Sequence, residues 1–379
     1  MRLRLRRHLL VRRTPQGVLA GLLAAGLLLG GCRLPGTSSS VHLASSWKGV
    51  GLLAVVAQDR RIVLVGINPR AGWIRPLAVL PGLLGAEPNA QATAQAVIDR
   101  LPSQASARAA VLVTVNTGGS LREVVRVPFG AKRGVVVGHL GNFWFPFVWH
   151  RQLVSLGIPG RAASVQVHRA NLGRRLSNGT SSTLAMVPVA ADGACVVGQP
   201  SFNTLSGVTW IANAATAASP RVVMTPGTPG GIACSTTGAL ISVTASGSGS
   251  TETTAPPTPG NTVLVVRPGT GTPEKVTVGR DPQQVAWDGP QTAVVAITGA
   301  AGPALQVVNL LTRHVVHHMS LPGMTPIAML CVTSGKMVAL GGSRAVIAST
   351  TAAAARSVAL PGFNLTTGRC VPGNAPAAR

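Results

Sequence analysis

Three closely spaced histidines form the group in this sequence whose residue type and spacing could hold a metal ion. His314, His317 and His318 lie within five residues, and on a regular strand His314 and His318 would share one face while His317 pointed to the other. Imidazole nitrogens are common zinc ligands, but no Asp or Glu lies nearby in the sequence to complete a coordination shell. We therefore expect exposed histidines at the rim of a domain, with no bound metal and no cofactor.

Other catalytic patterns lack the context that their chemistry needs. Ser45 and Lys48 have the spacing of the Ser-x-x-Lys motif of penicillin-binding enzymes, but no Lys-Thr-Gly sequence follows them. The chain has no Walker loop, no His-Glu-x-x-His and no Gly-x-Ser-x-Gly. Nine carboxylates in 379 residues also leave few candidates for paired acid and base catalysis. The sequence predicts that the protein is not an enzyme, and it assigns no catalytic residue.

The N-terminal segment has the pattern of a bacterial export signal. Six arginines precede an uncharged, mostly apolar run from Gly17 to Leu29. This run is shorter than the roughly 20 residues that a transmembrane helix needs, but it fits a signal-peptide core. The chain continues with Leu29-Gly30-Gly31-Cys32, which resembles the lipobox of bacterial lipoproteins. The resemblance implies cleavage before Cys32 and acylation of its thiol, with a plain signal peptide or an uncleaved anchor as the alternatives.

These features divide the chain and locate the protein. Residues 1–31 are the predicted signal peptide, 32–45 a lipidated flexible tether, 46–370 the folded domain and 371–379 a C-terminal tail. We expect an extracytoplasmic protein that is anchored to a membrane through N-terminal acyl chains. In a Gram-negative cell it would lie at the outer membrane or its periplasmic side. In a Gram-positive cell it would lie on the outer face of the cell membrane.

The chain is strongly basic and poor in carboxylates. It carries 33 Lys and Arg against 9 Asp and Glu, and removal of residues 1–31 leaves a net charge of +18. Basic residues form no runs beyond short pairs such as Arg174-Arg175, so nucleic acid is not an expected partner. The scarcity of carboxylates fits an acidic exterior, where little ion-pair stabilisation could be lost to protonation, and fits compositional drift in a GC-rich genome equally well.

Short apolar runs separated by Gly, Pro, Asn, Ser and Thr fill the chain from residue 46 onward. The best helical candidate, 91–100, is short, so the pattern predicts an all-β fold. Apolar stretches close repeatedly in a Pro-Gly-type turn, with prolines at Pro81, Pro128, Pro159, Pro226, Pro322 and Pro361. A period of about 40–50 residues in an all-β chain predicts four-stranded propeller blades. The length accommodates seven or eight blades, and we predict a β-propeller of seven.

One stretch resembles a known repeat family. It opens with the Val-Gly-x-x-Pro sequence of residues 278–282, continues to an Asp-Gly turn at Asp288-Gly289, and contains a later strand that ends in a turn at Thr312. This pattern resembles a blade of the YVTN family of WD40-like β-propellers. The match is good over residues 276–330, partial over 46–82 and 324–362, and faint over 83–260. Related propellers include lactonases and quinone-dependent dehydrogenases, so the resemblance makes an enzyme of either type the alternative to a binding module.

Four cysteines beyond residue 32 favour structural disulfides, because their number is even and the chain is predicted to be exported. The intervals from Cys195 to Cys234 and from Cys331 to Cys370 both equal 39 residues, close to one blade. Equal spacing suggests matching geometry, so we predict the bridges 195–234 and 331–370. Three connectivities are possible for four cysteines.

An aromatic segment is the candidate partner surface. Phe143, Trp144, Phe145, Phe147 and Trp149 lie within seven residues, and the odd-numbered members would share one face of a strand. If exposed, this face could bind a protein, a glycan or the membrane interface. A core strand between blades is the alternative, and the more ordinary one for aromatic side chains.

Residues 244–261 are rich in Ser, Thr, Gly and Pro, which predicts a disordered loop between strands or a boundary between two domains. Together these patterns predict an exported, membrane-anchored propeller lipoprotein on the cell envelope that acts as a scaffold or binds a protein or another ligand. A propeller enzyme and a structural envelope protein are the alternatives.

Overall fold

The computed structural model of this chain describes residues 41–58, 61–83, 98–101, 110–116, 121–141, 144–149, 152–157, 166–169, 189–192, 195–198, 208–213, 221–235, 238–246, 258–267, 270, 272–324, 327–333, 335–352, 355–360, 363–364 and 370–372. The chain divides into two units, Met1–Ser39 and Ser40–Arg379, and every described residue lies in the second. The predicted signal peptide 1–31 and the acylation site Cys32 lie outside the described residues, so both stay predictions.

The described residues form strands and turns, as the sequence predicts for an all-β protein. The first fourteen strands are β1 (Leu52–Gln58), β2 (Arg61–Asn68), β3 (Trp73–Leu83), β4 (Ile98–Leu101), β5 (Ala110–Asn116), β6 (Leu121–Pro128), β7 (Val135–Gly141), β8 (Trp144–Trp149), β9 (Gln152–Gly157), β10 (Gln166–Arg169), β11 (Val189–Asp192), β12 (Cys195–Gly198), β13 (Val208–Asn213) and β14 (Arg221–Met224). Among the described residues no helix has the length and apolar character needed to cross a membrane.

The second half of the chain contributes fourteen more strands. They are β15 (Gly227–Ser235), β16 (Gly238–Ser246), β17 (Thr258–Val266), β18 (Glu274–Thr277), β19 (Pro282–Trp287), β20 (Thr292–Ile297), β21 (Ala304–Asn309), β22 (His314–Ser320), β23 (Met329–Thr333), β24 (Lys336–Gly341), β25 (Arg344–Ser349), β26 (Ala355–Ala359), β27 (Phe363–Asn364) and β28 (Cys370–Pro372).

These strands pair into seven antiparallel sheets that follow one another along the chain, here numbered as blades 1–7. Blade 1 joins the C-terminal β27 and β28 to β1, β2 and β3, whereas blades 2 and 3 are β4–β7 and β8–β10. Blades 4, 5, 6 and 7 are β11–β14, β15–β18, β19–β22 and β23–β26. Each described blade is therefore a meander of neighbouring strands.

The inner strands of the blades form a closed ring. Each contacts the inner strand of the next blade, in the order β4, β8, β11, β15, β19, β23 and β28, and β28 contacts β4 again. A ring of this kind leaves sheets with short, protected edges. The fold is a seven-bladed β-propeller, as the sequence predicts.

Hydrogen bonds between the two ends of the folded domain complete blade 1. The register aligns Leu53 with Val371 and Ala54 with Cys370, so the C-terminal strand supplies the inner edge of a sheet whose other strands are N-terminal. The folded domain therefore continues to Pro372, which corrects the predicted end at residue 370.

The N-terminal limit of the packed domain also differs from the prediction. Val41 packs against the apolar cluster between blades 7 and 1, and the Ala44 amide donates a hydrogen bond to the Pro76 carbonyl over 2.8 Å. The Trp47 ring lies 5.1 Å from the Phe129 ring in blade 2. Residues from Val41 to Ser45, inside the predicted tether 32–45, therefore already belong to the packed domain.

The predicted disordered loop 244–261 is partly wrong. Its first three residues continue β16 and its last four begin β17, while 247–257 lie outside the described residues. The hairpin stays paired because Gly260 lets the two backbones approach closely: a Cβ there would overlap the carbonyl group of Val243. The segment joins two strands of one blade, so the alternative of a domain boundary is also wrong.

The core lies between blades rather than within one central cluster. Along β20, Ala293 and Val295 face a cluster shared with blade 5, whereas Val294 and Ala296 face a cluster shared with blade 7. Because both faces of this sheet are covered, its middle strands β20 and β21 are nearly continuous apolar runs without an alternation of polar residues. This explains why the blades are visible in the sequence as short unbroken apolar segments.

Candidate functional site

The strand directions divide the connections between two faces of the ring. Strands that neighbour each other within a blade are antiparallel, and the inner strands lie side by side. Turns from inner to second strand and from third to outer strand therefore share one face, here named the turn face. Turns from second to third strand and connections between blades share the opposite face, here named the loop face.

Long connections join strand ends on the loop face. The segments 84–97, 199–207 and 247–257, each at least nine residues long, connect β3 to β4, β12 to β13 and β16 to β17. Connections within a blade on the turn face have at most eight residues, the longest being 102–109 between β4 and β5. Binding residues are commonly carried on loops that a rigid frame positions. The loop face is therefore the candidate ligand-binding site.

The short turns on the turn face are built by a repeated asparagine. The Asn68 side-chain oxygen accepts hydrogen bonds from the amides of Arg70 and Ala71 over 3.0 and 2.8 Å. In blade 6, Asn309 accepts equivalent bonds from the second and third residues after it, over 2.9 and 3.0 Å. Both turns end in a left-handed residue, Gly72 at φ 69° and Arg313 at φ 61°. The sequence analysis missed this repeat, although an asparagine after an apolar strand is a recognisable signal.

The predicted Asp-Gly turn of blade 6 lies on the same face. Asp288 and Gly289 follow β19, and Gly289 has a φ of 87° that favours glycine. One carboxylate oxygen of Asp288 accepts a hydrogen bond from the Gly335 amide of blade 7 over 3.2 Å. The aspartate therefore connects the turns of neighbouring blades, in keeping with its predicted structural role.

The inner strands are in close backbone contact. A Cβ on Gly231 of β15 would lie 2.7 Å from the Cα of Gln284 and 2.8 Å from the carbonyl oxygen of Gln283 in β19. The buried Ser242 hydroxyl both accepts from the Gly231 amide, over 2.7 Å, and donates to its carbonyl, over 3.1 Å. Among the described residues, no group of three or more His, Cys, Asp or Glu side chains is placed to hold a metal ion.

The three histidines lie on the exposed outer strand of blade 6, as predicted, but their faces differ from the expectation. A bulge shifts the register of β22, so that His317 lies opposite Val307 and His318 opposite Gln306, while His314 lies opposite Asn309. His314 and His317 therefore share one face of the strand, and His318 occupies the other. The expected pairing of His314 with His318 is wrong because the extra residue reverses the alternation.

A buried glutamine links this outer strand to the connection between blades 5 and 6. The Gln306 side-chain oxygen accepts a hydrogen bond from the Gly279 amide over 2.7 Å. Its nitrogen lies 3.2 Å from Nδ1 of His318, within hydrogen-bond distance. Gln306 is 7% exposed, so its side chain makes both contacts while it is almost fully buried. Sequence analysis did not identify Gln306.

The aromatic segment lies at the inner edge of blade 3. Its strand, β8, contacts the inner strands β4 and β11 of the neighbouring blades, and Phe143 lies outside the described residues. The predicted partner surface of Trp144, Phe145, Phe147 and Trp149 stays a prediction.

The backbones of the predicted disulfide partners lie on neighbouring strands. Cys234 on β15 and Cys195 on β12 belong to strands in contact, and so do Cys331 on β23 and Cys370 on β28. The two pairs do not have matching geometry, because Cys195 begins the second strand of its blade whereas Cys370 lies on an inner strand. Both bridges would join successive blades, and both stay predictions.

The turn face of blades 7, 1 and 2 is lined by exposed basic side chains. They are Lys48, Arg70, Arg75, Lys132, Arg133 and Arg356. The Arg356 guanidinium donates to the Ala71 carbonyl over 3.4 Å, and the Arg75 guanidinium lies 4.8 Å from the Trp73 ring centroid. Sequence analysis predicted scattered charge, because these residues are far apart in the chain.

Comparison with solved structures identifies similar folds at low identity. A functionally unknown protein from Desulfotomaculum acetoxidans has 13% identity and a TM-score of 0.53, over 85% of this chain and 98% of that one. AztD from Citrobacter koseri has 9% identity and a TM-score of 0.48, over 86% and 99%. A chain of the nidogen/laminin complex has 9% identity and a TM-score of 0.45, over 84% and 98%.

No protein-family model matches the chain, and no curated protein matches it. The likeness to the Desulfotomaculum acetoxidans protein concerns the fold alone. The described part of the chain forms a β-propeller.

Proposed function

We propose that this protein is a membrane-anchored propeller lipoprotein that binds a protein or another envelope ligand through its loop face, without catalysing a reaction. The proposal is supported by one observation: the long connections and the N-terminal segment lie on opposite faces of the ring. Long connections join strands at the loop face, whereas the N-terminal segment approaches β1 from the turn face. A ligand bound to the loop face would then be held away from the anchor.

The length of chain before Val41 limits how far the propeller can lie from an acylated Cys32. Nine peptide units separate the two residues, and a fully extended chain of that length spans at most about 30 Å. The hydrogen bond from the Ala44 amide to the Pro76 carbonyl keeps the following residues on the propeller. We infer that the propeller would be held close to the membrane.

Acylation is tested directly on the mature protein. Mass spectrometry is expected to show Cys32 as the first residue, carrying two or three acyl chains, since Leu29-Gly30-Gly31-Cys32 resembles a lipobox. The variant Cys32→Ser is expected to leave the membrane fraction. An unmodified N-terminus at another residue would refute the lipoprotein part of the proposal.

The repeat resemblance agrees with a binding role. The stretch 276–330 that resembles the YVTN family contains blade 6, and its Asp-Gly turn joins β19 to β20. We infer that the other blades are diverged copies of this unit. A closed frame tolerates very different loops, so the ligand depends on the loop residues and not on the fold.

The loop face is tested by shortening one connection on each face. Segment 247–257 on the loop face and segment 102–109 on the turn face are each replaced by four Gly and Ser residues. Cross-linking in envelope membranes, followed by mass spectrometry, compares the captured ligand with that of the unaltered protein. The loop-face variant is expected to retain about tenfold less ligand, which corresponds to the loss of a modest contact.

The turn-face variant is the matched control and is expected to capture the same ligand as the unaltered protein. Equal losses in both variants, at equal thermal stability, would contradict assignment of ligand binding to the loop face.

A further inference from the structure

We propose that the turn face of blades 7, 1 and 2 is a second binding surface, which docks on anionic phospholipid headgroups. The inference rests on the proposed membrane anchoring for the proximity of a bilayer, and on the described side chains for its charge. It gives the propeller a defined orientation, with the loop face directed away from the membrane.

The basic side chains of this surface come together from three blades. Lys48 precedes β1, Arg70 lies in the turn between β2 and β3, and Arg75 is the third residue of β3. Arg356 is the second residue of β26, the outer strand of blade 7. A Cβ on Gly49 would lie 3.1 Å from the Asn68 side chain, so the segment containing Lys48 adjoins this turn. The contact of Arg356 with the Ala71 carbonyl brings blade 7 to the same place.

The turn between β6 and β7 extends the surface into blade 2. Lys132 and Arg133 are exposed there, and the Lys132 carbonyl accepts a hydrogen bond from the Val79 amide of blade 1 over 3.0 Å. The Trp47 ring packs on Phe129 at the beginning of the same turn. These contacts place the turn that carries Lys132 and Arg133 against the outer strand of blade 1.

The six basic side chains of this sector form no ion pair with another described side chain. The structure describes the side chains of four carboxylates, Glu123, Glu274, Asp281 and Asp288. Glu123 and Asp281 lie at the loop face, and the other two lie on blades 5 and 6. Glu274 is paired there with Arg267 and Arg313 over 3.8 and 3.5 Å. Glu274 thus neutralises part of the basic charge of blades 5 and 6, and Asp288 meets blade 7 at the Gly335 amide rather than at a basic side chain.

The position of the N-terminal segment indicates what this charge would meet. Ala44 is held at Pro76, next to Arg75, so the described residues before β1 lie beside basic side chains of the sector. Basic groups within about 10 Å of a membrane are attracted by anionic lipids, because salt screens the field beyond that distance. Guanidinium and ammonium groups also donate charge-assisted hydrogen bonds to phosphate oxygens. These arguments favour anionic phospholipid over a soluble acidic partner.

Vesicle binding tests the proposal with the exported protein carrying Cys32→Ser, so that no acyl chain contributes. The probes are vesicles of phosphatidylcholine alone and vesicles with about one third phosphatidylglycerol. The triple variant Arg70→Gln, Lys132→Gln, Arg133→Gln is compared with Arg61→Gln, Arg280→Gln, Arg344→Gln, which removes the same charge from the loop face. Thermal unfolding confirms that both triple variants are folded.

The unaltered protein is expected to prefer the anionic vesicles and to lose this preference at high salt. Each basic residue near the surface contributes about fivefold to binding, so the turn-face triple should bind about 100-fold more weakly. The loop-face triple should bind within about threefold of the unaltered protein, because its charges are remote from the bilayer.

Equal losses in the two triple variants would overturn the proposal, because the attraction would then belong to the net charge of the chain. Equal binding to neutral and anionic vesicles would overturn it as well. Neither result depends on acylation, so a failure of the lipoprotein proposal in the mass-spectrometric test is distinguishable from a failure of this one.

Discussion

At the scale of single residues, polar side chains stabilise contacts between structural units of this propeller. Gln306 accepts from the Gly279 amide, and Asp288 accepts from the Gly335 amide. In each case a side-chain oxygen on one strand or turn accepts a hydrogen bond from a backbone amide of a different turn or connection. Because a covered donor without a partner is costly, these positions contribute more than an exposed hydrogen bond would.

Gln306→Leu is expected to destabilise the protein by about 1–3 kcal/mol, since the Gly279 amide would lose its acceptor at a covered position. Urea unfolding of the variant measures the change in the free energy of unfolding. His318→Ala is the control, because it removes the exposed partner of Gln306 and leaves the bond to Gly279 in place. A His318→Ala variant as destabilised as Gln306→Leu would contradict this assignment.

At the scale of strands and turns, local irregularities decide which side chains share a face. The bulge in β22 places His314 and His317 together, against the simple alternation of a regular strand. In β16 and β17, another register shift lets a hairpin of polar residues extend to Thr258. The turns that begin at Asn68 and Asn309 have equivalent hydrogen bonds in blades far apart in the sequence. Both the turn hydrogen bonds and the apolar strands therefore recur between blades of this fold.

At the scale of the whole molecule, the closure of the ring depends on residues from opposite ends of the chain. Leu53 and Ala54 pair with the C-terminal strand β28, and Cys331 packs in the same apolar cluster as Ala54. Because the backbone of Cys370 is the register partner of Ala54, a bridge between Cys331 and Cys370 would close the ring covalently. Such a bridge would restrict the conformations of the unfolded chain and so stabilise the closed ring.

Cys331→Ala is expected to lower the free energy of unfolding by about 4 kcal/mol, the chain-entropy estimate for a closed loop of this length. Cys370→Ala should have a similar effect, and the double variant should be no less stable than either single one. Peptide mapping without reduction is expected to recover the two cysteines in one linked pair. Free thiol labelling of Cys370 in the folded, oxidised protein would contradict the bridge.

Much of the architecture was predictable because the signals are local. Unbroken apolar runs such as Ile62–Ile67 indicate strands that are covered on both faces, and the Asp288-Gly289 pair indicates a tight turn. Their recurrence at about one blade length is enough to predict a propeller of about seven units. The Leu-Gly-Gly-Cys32 sequence similarly predicts an anchor without reference to the fold.

The tertiary structure decided what depends on contacts between distant residues. Lys48 and Arg356 are separated by most of the chain, and they share the turn face because the ring brings blade 7 back to blade 1. The same closure places Cys370 beside Ala54 and extends the domain to Pro372. Sequence patterns report the neighbours of a residue along the chain. The charged sector and the ring closure arise from pairings across more than 300 residues, which no local pattern encodes.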